Sequence, residues 1–540
     1  MILDSGFKLK FFQLMLRFPS ILWASMKGSV KTFNAKVAYI SDADSNYFTT
    51  QTRRLPLLGQ VSLHKLMRKD YAMDRDGVKW MTQNRKKTGT RLTGRIVFPG
   101  NPSYNAARME YNRRFSKFPK VIVFCRRTQD VINAVKWARE HGVRLRARSG
   151  RHSYEGFSTV NGGIIIDVSE MNKIKVDRKN RVALVQTGNP LARVYKKLWD
   201  KRVALPAGTA PDVGLAGLTL GGGIGLLSRK YGLTCDNLKQ VKMVVASGRY
   251  GAKTIVANRR KHADLLWASR GGGGGNFGIA TAYTFRVRPI STVSIYSVTW
   301  KWGDLEKVLP VWQRWAPSVT NRLTSTIEVA AKQVGTIEST GQLLGSAKEL
   351  RRLIKPLLRA GTPVKVLVKT VPFIEATQFF AESDLNLEPK FKISGAYGFR
   401  PLPREGVRII RDFLSKAPNR HSTVWSQSLG GAGSAVSLVS PTATAYPHRK
   451  AETIYELSAR WRNNGEQRRN IQWVKRFRRA LRPFVKGDYV NFPDVQIKNW
   501  PKAYYGVNFG RLKQVKRKYD PHNVFRFAQS IPVGKRGRKG

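Results

Sequence analysis

Two glycine-rich stretches, LAGLTLGGGIG (215–225) and SRGGGGGNFG (269–278), constrain this chain more than any other feature. Glycine loses more freedom on folding than other residues, so clusters of it belong where backbone must turn sharply or approach something closely. The strand-like run VKMVVA (241–246) lies between them, and IATAYTFRV (279–287) follows the second. Both clusters lie downstream of RLRARSGRHSYEGFS (144–158), which places His152 among small residues after an apolar run able to form a strand. The first cluster is not a strand-turn-helix GxGxxG or a Walker loop, because Lys and Ser/Thr are not where those motifs need them. Gly221, Gly222 and Gly223 can nevertheless approach a ligand unobstructed, and consecutive amides there can bind phosphate oxygens. A flexible turn is the alternative for each cluster alone. Their order and spacing together point to one site for a large cofactor.

The chain around these segments is long enough for two or three domains at 540 residues. From Leu92 the pattern is globular. PKVIVFC (119–125) reads as a strand and Asp130–His141 as a helix, with Val131, Ala134, Val135 and Ala138 on one face. Asp130 is a fitting cap and Gly142 a fitting stop. Strands are expected at 143–148, 163–168 and 182–186, and a helix at 189–199. From Ser291 a second pattern begins. It has a helical stretch at 305–315 interrupted by Pro310, strands at 324–330 and 424–429, and no glycine cradle. It would cover the cofactor and shape the substrate pocket.

Residues 1–90 are different. Phe7–Gly28 is apolar and basic, but Lys8, Lys10, Arg17 and Pro19 break the span of roughly twenty apolar residues that a bilayer requires. A secretory signal, an interfacial helix, a helix buried on a partner and ordinary packing all fit it. The tail KRGRKG reads as solvated.

There are 97 Lys and Arg against 34 Asp and Glu, a formal charge of +63. Such a body attracts polyanions. The positives are spread along the chain, however, and two cysteines leave no zinc-finger spacing, so sequence-specific nucleic-acid binding is not expected. Cys125 and Cys235 sit in apolar surroundings and read as buried structural thiols. No metal site is expected.

RSGRHSYEGFS, PAGTAPDVGLAGLTLGGGIG, RKYGLTCDN, WASRGGGGGNFGI, YVNFPD and YYGVNF…YDPHNVFRF are specific in combination. Through them the chain from about Leu92 to Pro532 resembles a bacterial berberine-bridge-enzyme-like flavin oxidase of the vanillyl-alcohol-oxidase superfamily. The resemblance implies an α+β fold. A two-part FAD-binding domain (91–290 and 487–532) would be interrupted by a substrate domain of antiparallel sheet and helices (291–486). Residues 1–90 would be a basic extension available for assembly and 533–540 a basic tail.

His152 matches the residue bonded to the flavin 8α carbon. The position of a second, cysteine attachment is Ala210, so FAD is expected to be covalently held through His152 only. Arg148, Ser149, Gly150, Arg151, Ser153 and Tyr154 would surround the pyrophosphate and the attachment loop. Gly221, Gly222, Gly223, Gly273, Gly274, Gly275 and Asn508 would add cofactor contacts. Val213 matches the position beside the flavin that controls oxygen access. For catalysis the resemblance offers Tyr489 in YVNFPD and Glu456 in IYELSARW as proton acceptors while hydride passes to the flavin. The greater share falls to Tyr489, on the expectation that nearby Lys or Arg lower its pKa. Phe492 stands where members often carry a second tyrosine. His448 and Arg449 read as structural.

The implied activity is oxidation of a hydroxylated small molecule, with O2 reduced to H2O2. The alternative is a flavin-fold coat or interaction protein with a basic polyanion-binding surface. The setting would be bacterial cytoplasm or spore coat.

Overall fold

The computed structural model describes residues 89–381 and 390–534. The expectations for Phe7–Gly28, for all but the last two residues of the 1–90 extension, and for KRGRKG lie outside them. The strands form three large sheets and one two-stranded pair, and the cavity between the large sheets is what the architecture positions.

The first sheet runs β1 (Arg95–Val97), β2 (Val121–Phe124), β4 (Ile164–Asp167), β3 (Leu145–Arg148), with β2, β4 and β3 parallel. β4 reads Ile-Ile-Ile-Asp and is buried throughout because both faces are covered. Ile164 and Ile166 pack on Val131, Ala134 and Val135 of the helix Thr128–Glu140, and Ile165 packs with Tyr104 and Ile122 on the other side. A continuous apolar run is what a strand buried on two faces needs. Asp130, expected as the cap, lies three residues inside that helix. It still caps it: its Oδ2 accepts from the Arg126 and Arg127 amides at 3.0 and 3.1 Å. Gly142 follows the helix end at φ +62°.

The second sheet is antiparallel, in the order β5 (Ile174–Asp177), β6 (Val182–Gln186), β10 (Ile279–Arg286), β8 (Leu238–Ser247), β9 (Gly251–Asn258). A short pair, β7 (Val203–Ala204) and β11 (Arg288–Pro289), lies beside it in sequence. The third sheet has seven antiparallel strands: β15 (Pro363–Pro372), β12 (Thr292–Lys301), β14 (Thr336–Leu343), β13 (Leu323–Ala330), β17 (Ser422–Ser428), β18 (Thr453–Trp461), β16 (Lys390–Gly398). The helices Leu305–Ser318, Arg404–Ser415 and Gln467–Leu481 cover one face of it. The first of these runs through Pro310 instead of breaking there. Its buried stripe, from Leu305 through Val308, Leu309 and Trp312 to Ala316, holds it in place. Tertiary packing outweighs the roughly 3 kcal/mol proline penalty.

Side-chain alternation along these strands decides which residues reach the cavity. Ile327, Val329, Ile337, Val424, Tyr455 and Leu457 enter the helix-backed core. Their neighbours of opposite parity, Glu328, Glu338, Trp425 and Glu456, line the cavity. Period-two geometry requires that split.

The C-terminal segment closes back onto the second glycine cluster. Buried Lys516, on the helix Phe509–Tyr519, donates to the Asn276 and Phe525 carbonyls at 2.7 and 2.6 Å and to Asp520 at 2.7 Å. The Ile531 amide donates to Asn276 Oδ1 at 2.9 Å. Removing one partner of such a buried pair costs about 3–5 kcal/mol. The segment also meets the seven-stranded sheet, where Lys392 on β16 is held between Glu155 and Asp494, the latter at 2.6 Å.

Candidate functional site

A cavity of about 1120 Å³ lies between the His152 turn, the second glycine cluster and the cavity face of the seven-stranded sheet. Pockets for drug-sized ligands span roughly 300–1,000 Å³, so this one has room for a large cofactor with a substrate beside it.

Its first wall begins where β3 ends. Gly150 passes so near Gly214 that a Cβ there would sit 2.2 Å from the Gly214 nitrogen. Arg151 turns through φ +61°. That approach sets the turn against the 208–214 segment and brings Asp212 Oδ2 to 2.8 Å from His152 Nε2. The imidazole stacks on Tyr111 with ring centroids 3.9 Å apart and planes 19° apart. His152 Nδ1 is buried with no hydrogen-bond partner.

The other residues expected around a pyrophosphate all border the cavity, but their polar groups are largely committed to the protein. Arg148 is buried, bonded to Asp167 at 2.6 Å and to the Ala107 carbonyl at 2.7 Å. Ser149 Oγ donates to the Thr187 carbonyl at 2.8 Å, and Arg151 donates to the Ala106 carbonyl at 3.1 Å. Ser153 Oγ accepts from the Phe157 amide at 2.9 Å. Tyr154 packs edge-on against Phe391 and stacks with Phe492. Phe492 therefore serves the wall through its ring.

The two glycine clusters separate. Gly273, Gly274 and Gly275 line the cavity. Gly273 and Gly275 adopt φ +84° and +70°, and nothing comes nearer than 3.8 Å to a Cβ built on Gly274. Gly221, Gly222 and Gly223 stand behind the lining, contrary to the expected phosphate cradle. A Cβ on Gly221 would meet Asn491 Oδ1 at 2.0 Å, and one on Gly223 would meet Thr234 Oγ1 at 2.1 Å. Their amides are used internally: Gly222 donates to the Thr219 carbonyl and Gly223 to Tyr489 Oη at 2.8 Å. Asn508 is also outside the lining. Its Nδ2 donates to the Pro441, Thr444 and Ala445 carbonyls, pinning that loop.

Tyr489 borders the cavity, and its Oη accepts from Gly223 and from Asn491 Nδ2 at 2.9 Å. Burial pushes this phenol far above its ordinary value, against the hydrogen bonds from Gly223 and Asn491. The lowered pKa expected for Tyr489 is therefore not what its setting gives, because burial dominates. Glu456 lies on β18 opposite Trp425 of β17, with Gln427 on the same face. Val213 and Ala210 both line the cavity. Cys235 is fully buried in a cluster with Tyr446 and Tyr489, its thiol pushed up by burial, and does not line the cavity. Arg449 forms a two-point pair with Asp236 at 2.7 Å, and burial holds His448 down at about 4.

Sequence reasoning passed over Asp212, Tyr111, Asn491, Trp425 and Gln427. Asp212 and Asn491 stand inside quoted motifs. Tyr111 and the sheet residues carry no local signal, because tertiary folding alone brings them to the cavity. Among the described residues no cluster could hold a metal ion, and no helix is long and apolar enough to cross a membrane.

Residues 119–250 match the FAD binding domain family, and residues 488–532 match the berberine and berberine-like family. An uncharacterised FAD-linked oxidoreductase of Bacillus subtilis is 50% identical over 443 residues, covering 82% of this chain and 98% of the relative. The chitooligosaccharide oxidase of Gibberella zeae is 29% identical over 461 residues, covering 80% and 91%. The solved structure of Physcomitrella patens BBE-like 1 superposes with a TM-score of 0.76 at 29% identity, covering 82% of this chain and 97% of that one. The matched segments carry the His152 turn and the returning C-terminal strap, and this chain belongs to the berberine-bridge-enzyme-like family of FAD-linked oxidoreductases.

Proposed function

We propose that the protein is an oxidase that takes a hydride from a hydroxylated small molecule and passes the electrons to O2 as H2O2. FAD would be held by residues 91–290 and 487–532, and the substrate would lie against residues of the 291–486 segment. One observation carries this reading: a single cavity has the His152 turn and Gly273–Gly275 on one side and a polar sheet face on the other. That face presents Trp425, Gln427, Glu456 and the cross-strand pairs Thr326–Thr340 and Glu328–Glu338. An aromatic ring among acceptors and donors suits a compound bearing several hydroxyls, and a related chain is named for a chito-oligosaccharide.

The residues fit the cofactor. His152 Nδ1 is buried, unpartnered and on the cavity wall, and Ala210 offers only a methyl where a second attachment would need a thiol. FAD would therefore be bonded through His152 alone. The flavin would supply the two-electron chemistry. The protein positions the substrate oxygen and receives its proton. Glu456 is the better acceptor, since it places a carboxyl group on the sheet face of the cavity, whereas burial keeps Tyr489 a phenol. Tyr489 organises the wall by tying Gly223 to Asn491. Val213, a modest side chain on the lining, would leave O2 access to a bound flavin.

Stopped-flow flavin reduction with an alcohol and sugar panel tests the roles. Glu456→Gln should slow reduction by roughly 100-fold or more while reoxidation by O2 is retained. Tyr489→Phe should cost about tenfold. A large loss in Tyr489→Phe with Glu456→Gln unaffected would return the proton to the tyrosine. The +63 charge also favours salt-sensitive, nonspecific polyanion binding.

A further inference from the structure

We infer that Asp212 is a positioning residue for covalent flavin attachment, acting by fixing which nitrogen of His152 is free to react. The inference rests on the attachment through His152 proposed above. A neutral imidazole carries its proton on one nitrogen and a lone pair on the other, and a hydrogen bond at one end selects the arrangement. Asp212 Oδ2, 2.8 Å from Nε2, accepts only if the proton is there. The lone pair is then on Nδ1, which is buried and has no competing donor. The stack on Tyr111 restricts rotation of the ring, so the two ends do not exchange places.

In the attachment step His152 Nδ1 forms a bond to the methyl carbon at flavin position 8 while one C–H bond of that methyl breaks. The proton leaves to solvent and the electron pair is left on the isoalloxazine, from which O2 takes it together with two protons from solvent to form H2O2. Bond formation at Nδ1 makes the imidazole cationic while Nε2 keeps its proton. The Asp212 carboxylate faces that new charge directly, so it serves both before and after the bond forms. Asp212 lies within PAGTAPDVG, two residues beyond Ala210. The same short segment thus withholds a second attachment and orients the first.

The test is covalent occupancy of the full-length protein, purified and then incubated with FAD in air. Intact mass and acid-released flavin would be followed over time for the wild type and for Asp212→Asn, Asp212→Leu, Asp212→Glu and His152→Ala. The expected result is an essentially covalent wild type and a His152→Ala variant whose flavin is all acid-releasable. Asp212→Asn, nearly the same shape, should bind FAD and unfold like the wild type yet form the bond at least about tenfold more slowly. Asp212→Leu should be slower still, and Asp212→Glu should recover more of the rate than Asn. A purely packing role would rank Asn above Glu, and that order would overturn the inference. Wild-type rates in both Asn and Leu would overturn it while leaving attachment at His152 standing. Acid-releasable flavin in the wild type would remove both.

Discussion

The glycine clusters at 221–223 and 273–275 have nearly the same composition and opposite employment. The first is packed from behind: added Cβ atoms at Gly221 and Gly223 would overlap Asn491 and Thr234, and the Gly223 amide is bonded to Tyr489. The second borders the cavity, and a Cβ on Gly274 would make only ordinary contacts, at 3.8 Å. A glycine run shows that something comes close to the backbone. In the first cluster that something is the protein's own side chains, and in the second it is the space left for a ligand.

The comparison is broken most forcefully at Gly223. Gly223→Ala places a Cβ 2.1 Å from Thr234 Oγ1 at φ +81°, with backbone strain added to overlap. A loss of about 3 kcal/mol or more is expected, read by denaturant unfolding or by failure to accumulate soluble protein. Near-normal stability would mean that the first cluster is looser than its packing indicates.

Gly274→Ala sharpens the contrast. Its stability should stay within about 0.5 kcal/mol of the parent. FAD affinity, measured in a His152→Ala background so that binding is reversible, should fall about tenfold, as overpacking of a ligand surface does. Unchanged affinity would remove Gly274 from the cofactor surface.

A smaller effect separates the buried charges behind the two walls. Lys516, behind the second cluster, is satisfied by an ion pair and two carbonyls. Glu110, behind the His152 turn, has neither oxygen hydrogen-bonded and sits 3.8 Å from Arg148. Burial pushes Glu110 up to about 7, against the opposing pull of Arg148. The native state then binds this proton more tightly than the unfolded chain does. Its contribution to stability is therefore present below the ordinary carboxylate range and is lost as pH rises toward 7. Asp488, also pushed up to about 7 by burial, contributes the same sign. Glu110→Gln should reduce the stability lost between pH 5 and pH 8 by on the order of 1 kcal/mol, leaving the Asp488 share. An unaltered slope would mean that Glu110 titrates as an ordinary carboxylate.

Much of the frame was legible along the chain because its signals are local. Ile164–Asp167 is uniformly apolar up to its aspartate, Gly142 stops a helix with a clear apolar face, and the spaced motifs identify the family. Local signals also singled out His152 and Gly273–Gly275, which line the cavity, and read Cys235 as a buried thiol. They did not show that Gly221–Gly223 and Asn508 lie outside the cavity lining, because the side chains and carbonyls that meet them come from distant segments. They led to a lowered pKa for Tyr489, whereas burial raises it.

By itself the sequence determined the α+β class and the FAD-linked family, and it supplied the candidates for the site, His152 beside small residues and Ala210 in place of a thiol. Each depends on residue identity within a few positions. Only the tertiary structure decided which glycines face the cavity, that Asp212 meets Nε2 of His152, and that Trp425 and Glu456 share one sheet face. The reason is physical: backbone propensity acts over a turn or a strand, whereas desolvation, hydrogen-bond choice and side-chain overlap depend on which distant segments fill the space around each atom.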